Sequence, residues 1–80
     1  MNIYTLKNRE YGEKGKALNG KAFKVKKGET GAVFVDINTA KIIWITTDVV
    51  NHNYTDDGIV ITTKNSTYDL VNVLNVLPSK

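Results

Sequence analysis

Gly58-Ile59-Val60-Ile61-Thr62-Thr63-Lys64-Asn65-Ser66-Thr67-Tyr68 is the stretch that decides the fold. In extended backbone Ile59, Ile61 and Thr63 share one face, and Val60 and Thr62 share the other. These β-branched residues fit a pleated, half-buried surface. Lys64-Asn65-Ser66 then supplies turn chemistry, and Thr67-Tyr68 starts the return. A strand, a turn and a second strand read as antiparallel sheet.

Upstream, Asp56-Asp57-Gly58 is a hairpin signal, and Asp-Gly suits a type I′ turn. Strand character runs back through Tyr54 to Asp48-Val49-Val50. Ile42-Ile43-Trp44-Ile45 is apolar on both faces, so a central strand is expected there, or one whose outer face meets another subunit. Asp36 to Lys41 carries turn residues. Before it, Ala32 to Ile37 places Val33, Val35 and Ile37 on one face and Phe34 on the other. Ala22-Phe23-Lys24-Val25-Lys26 alternates as a half-buried strand, Phe23 and Val25 inward and Lys24 and Lys26 outward, and Lys27 to Gly31 turns it, with glycine supplying positive φ. Ile3 to Leu6 reads as a short strand and Asn8 to Gly15 as a polar loop, so residues 1–20 are expected to be partly extended or loop-like.

Downstream, Leu70, Val73, Leu74 and Leu77 recur at helical intervals, and Ser66 and Asp69 have the spacing of a capping box. Val71, Val73 and Val76 oppose this through β-branching, and a last strand over 67–73 is the favoured reading. The expectation is one all-β domain over residues 1–80, an SH3-like or related antiparallel barrel of five to six short strands, with a short C-terminal helix as the alternative ending.

Composition bounds the function. The chain has 80 residues, 41% of them apolar, enough for one core. A chain this short buries only about 60% of its unfolded surface, so an oligomer is expected. With no cysteine, thiol catalysis and cysteine-held zinc are excluded, and a reducing, cytoplasmic setting is expected. Residues 1–20 hold no basic-flanked apolar run, and no run in the sequence approaches about 20 apolar residues, so neither a signal peptide nor a membrane span is expected. Charge is uneven: residues 1–30 carry eight basic and three acidic side chains, and residues 31–80 carry three and five. That asymmetry suits either a solvated lysine face or contact with a polyanion.

Catalysis has little to stand on. His52 is the only histidine, and it sits beside no nucleophile motif. Asp48, His52 and Asp57 match no metal-ligand spacing, so no metal or cofactor is expected. The protein reads as a binder without a reaction. The strongest site candidate is a rim of short hydrogen-bonding side chains: Thr46, Thr47, Thr63, Lys64, Asn65, Ser66 and Tyr68. If the Trp44 and Ile61 strands pair, a threonine from each lies side by side, and the rim offers donors and acceptors to a phosphate, ribose or base edge. The competing explanation is strand propensity, turn chemistry and a packed tyrosine.

Two resemblances extend this reading. Residues 20–33, Gly20-Lys21-Ala22-Phe23-Lys24-Val25-Lys26-Lys27-Gly28-Glu29-Thr30-Gly31-Ala32-Val33, resemble the KOW-type segment of SH3-like barrels, whose loops touch RNA. This implies that Lys24, Lys26 and Lys27 neutralise phosphates, with Phe23 or Tyr11 as a stacking face. The segments Trp44 to Val49 and Gly58 to Leu70 resemble small accessory proteins of phages and other mobile elements. That resemblance implies an anti-defence binder that sequesters a nucleotide-type signalling ligand at the threonine rim. The alternatives are an inhibitor anchored on a host protein by Trp44 or Tyr54, and an RNA- or single-strand-binding barrel.

Overall fold

The computed structural model describes residues 2–73. Among them seven strands and one helix form in the order β1 (Tyr4–Leu6), α1 (Gly12–Leu18), β2 (Phe23–Lys27), β3 (Ala32–Asp36), β4 (Ile42–Ile45), β5 (Val49–Tyr54), β6 (Gly58–Thr63) and β7 (Thr67–Asn72). The strands make one antiparallel sheet in the order β4-β3-β2-β1-β7-β6-β5. The all-β, barrel-like expectation holds, with more strands than the five to six expected. Tyr4–Leu6 is a full member of the sheet, between β2 and β7.

The chain order fixes how the sheet bends. Its two outermost strands, β4 and β5, are consecutive in sequence with only Thr46, Thr47 and Asp48 between them. Those residues span at most about 15 Å from Ile45 to Val49. In a flat sheet of seven strands the edges would stand about 29 Å apart. The sheet must therefore curl until its edges approach at this corner. No β4–β5 ladder forms among the described residues, so the curled sheet is barrel-like and stays open. Ile42 to Ile45 is accordingly an edge strand and not a central one, with Ile42 and Ile45 exposed.

Residues opposed across an antiparallel ladder point to the same face. Tyr4 opposes Phe23, Phe34 opposes Trp44, Ile59 opposes Leu70 and Ile61 opposes Tyr68, which defines the inner face. One end of that face is a sealed core. Leu18, Phe23, Phe34 and Leu70 are fully buried, with the Phe23 and Phe34 rings stacked at 5.0 Å and Tyr68 edge-on to Phe34 at 5.4 Å. Each such side chain contributes about 1.5–3 kcal/mol through burial. α1 covers this end: Leu18 enters the core and Lys14 Nζ lies 4.4 Å from the centre of the Tyr68 ring.

α1 falls where a loop is expected over Asn8 to Gly15. Two glycines in Gly12-Glu13-Lys14-Gly15-Lys16-Ala17-Leu18 make it a poor helix by propensity, and tertiary contacts decide the matter. Asn19 joins the two ends of the segment, its Nδ2 donating to the Glu10 carbonyl at 2.8 Å and its Oδ1 accepting from Glu10 N at 3.1 Å. The ending favoured over 67–73 is borne out as β7. Leu74 and Leu77 of the helical alternative lie outside the described residues.

The turns also depart from expectation. Positive φ occurs at Gly12, Gly20 and Ala40, and at none of Gly28, Gly31, Asp57 or Gly58. The β5–β6 turn is thus not type I′. It is held instead by Thr55, whose Oγ1 donates to Asp57 Oδ1 and accepts from Gly58 N, each at 3.0 Å. Gly31 and Gly58 are needed for room: a Cβ at Gly31 would collide with the Thr46 and Thr47 carbonyls, and one at Gly58 with that of Leu70.

Candidate functional site

The seven rim residues of the sequence reading divide by what their side chains do. Thr46 is buried, its Oγ1 accepting from Ala32 N at 2.9 Å and donating to the Thr47 carbonyl at 2.8 Å. It ties the corner to the start of β3. Thr63 is buried too, its Oγ1 donating to the Ser66 carbonyl and accepting from Ser66 N, each at 3.1 Å. Tyr68 is buried with its hydroxyl accepting from Trp44 Nε1 at 2.9 Å. These three hydroxyls are committed to internal bonds. Thr47, Lys64 and Asn65 are exposed and Ser66 half-buried. The pairing that would align two threonines does not form: β4 pairs with β3, while β6 lies between β5 and β7. Trp44, offered as an anchor for a host protein, is half-buried and packs against the core.

The larger concavity lies elsewhere. Beyond the sealed core the inner face opens into a groove of about 1100 Å³. Tyr4, Val25, Ala32, Ile59 and Ile61 form its apolar floor. One wall is β2 and its turn, from Lys24 to Gly31, with Lys27 on the inner face and Lys24 and Lys26, opposed to Val35 and Val33, on the outer-face rows at its margin. The opposite wall is β5, with Val49, His52 and Tyr54. Asp48 and Glu29 complete it, from the corner and from the turn that packs beside that corner. The carboxylates are confined to that end.

The register explains why β5 is a wall. His52 opposes Ile61 and Tyr54 opposes Ile59, so both side chains project on the inner face. Ile59 and Ile61 are 7% and 4% exposed, yet Tyr54 is 73% exposed and His52 is exposed as well. Inner-face positions are normally core. Here the sheet stays open beside β5, and no described element covers them. The two rings meet edge-on, 6.1 Å between centres.

The structure thus sets Lys27 on the inner face of the groove and Lys24 and Lys26 along its margin. Neither stacking partner expected for them joins the site. Phe23 is fully buried under the core, and Tyr11, 82% exposed, sits before α1 with Arg9 near its ring. Reading the lone histidine by itself misses the His52–Tyr54 pair. The signal was the alternation of Val50-Asn51-His52-Asn53-Tyr54, which sets both rings on one face. Among the described residues no three His, Asp or Glu side chains gather as metal ligands, so Asp48, His52 and Asp57 are not brought together as a donor set. No described helix is long and apolar enough to cross a membrane.

No protein-family model, curated protein or solved structure matches this chain.

Proposed function

We propose that the protein binds nucleic acid in the inner-face groove, without catalysing a reaction. The supporting observation is the opposition of walls: β2, with Lys27 on its inner face and Lys24 and Lys26 along its margin, stands across an apolar floor from exposed His52 and Tyr54. Lysines displace counterions from phosphates, which supplies affinity independent of sequence. The excess of basic residues in the first thirty positions adds long-range attraction. A free nucleotide shares the phosphate and base chemistry expected for the threonine rim. The volume and open shape of the groove favour a ligand of several linked units.

Salt dependence tests this reading. Affinity for an oligonucleotide should fall log-linearly with salt, and replacing Lys24, Lys26 and Lys27 together by alanine should flatten the slope by about 2, at roughly 0.7 per phosphate contact on a single strand. A slope unchanged by the triple substitution would remove the groove from consideration. Thermal stabilisation by mononucleotides but not by oligonucleotides, lost with Asn65→Ala, would return the site to the threonine rim.

A further inference from the structure

We infer that His52 and Tyr54 form a stacking ledge for unpaired bases, so that the nucleic acid taken by the groove is single-stranded. The inference rests on the reading of the groove as a nucleic-acid site and names the class of strand it accepts. Three observations carry it. First, the ladder places both rings on the inner face, where side chains otherwise enter the core, yet Tyr54 remains 73% exposed. Second, the rings stand beside an apolar floor that includes Ile59 and Ile61, so a base laid on them leaves water on its edge as well as its face. Third, Lys27 lies on the inner face of the opposite wall and Lys24 and Lys26 along its margin, which separates a place for phosphates from a place for bases. A duplex hides its base faces and can use only the lysines. A single strand can use both walls.

The test is fluorescence anisotropy with labelled DNA and RNA single strands of about 12 nucleotides, within the range of small barrel sites. A duplex of equal length and inorganic polyphosphate serve as competitors. Both single strands should outcompete duplex and polyphosphate by at least about tenfold, the expected yield of one stacked base. Tyr54→Ala should lose about tenfold in affinity, Tyr54→Phe should retain it, and His52→Ala should lose several-fold. All three variants should melt with the parent, since these side chains are exposed.

Equal, lysine-dependent binding of polyphosphate and single strands would overturn the ledge while leaving the groove as a polyanion site. Tighter binding of duplex would overturn it as well. Absence of binding to every probe would overturn the groove reading itself. A concentration-dependent dimer weakened by Tyr54→Ala, with oligonucleotide affinity unchanged, would reassign the ledge to contact between copies and overturn the inference.

Discussion

Thr46 shows how one side chain can look like a ligand-binding group and serve the fold. Its hydroxyl satisfies the buried Ala32 N–H and is itself satisfied by the Thr47 carbonyl. Thr46→Val keeps the shape and orphans that donor, at a cost of about 1–3 kcal/mol; chemical denaturation should show the loss. Trp44 and Tyr68 are similarly coupled. Tyr68→Phe leaves the Trp44 indole N–H without its partner, and a destabilisation of about 1 kcal/mol with a change in tryptophan emission is expected. Ala40 holds φ at 61°, where a Cβ is strained. Ala40→Gly should relieve that strain and gain about 0.5 kcal/mol net of the added chain entropy, read as a higher melting temperature. Residue type alone could not assign the hydroxyls, because threonine in a strand and threonine at a ligand look alike until hydrogen bonds are assigned.

At the scale of elements, alternation carried most of the fold. Residues 59–63 and 23–27 follow period-2 patterns and form β6 and β2 in register, while β-branching marked the strand that forms as β7. α1 was illegible because its stability comes from Leu18 burial and the Asn19–Glu10 bonds, neither of which leaves a local signature. The edge position of β4 was hidden for a related reason. Four consecutive apolar residues look central, and only the strand order shows that one side of β4 has no neighbouring strand among the described residues. Gly31 belongs to this scale too. Gly31→Ala would push the β2–β3 turn off the Thr46–Thr47 corner. The variant should lose several kcal/mol, or fail to fold at 37 °C, in line with other severe overpacking changes.

For the molecule as a whole, lysine content was readable and the groove was not. Lys24, Lys26 and Lys27 are adjacent in sequence, whereas His52 and Tyr54 reach them only because β2 and β5 come face to face when the sheet curls. That meeting depends on strands distant in the chain, which no single window contains. Charge arrangement then predicts a graded response. Glu29→Gln removes one of the two carboxylates lining the groove, and affinity for an oligonucleotide should rise modestly, most clearly at low salt.

The three-residue link from Ile45 to Val49 has a consequence for the width of the site. Because it tethers the two free margins of the sheet at one point, it acts as the rivet of a pair of tongs. The jaws, β2 and β5, are set by the reach of Thr46, Thr47 and Asp48. Two glycines inserted after Thr47 would leave the Thr46 bonds and every strand ladder in place while slackening the rivet. The melting temperature should then barely move while oligonucleotide dissociation accelerates, so the aperture of the protein can be tuned from a three-residue connection.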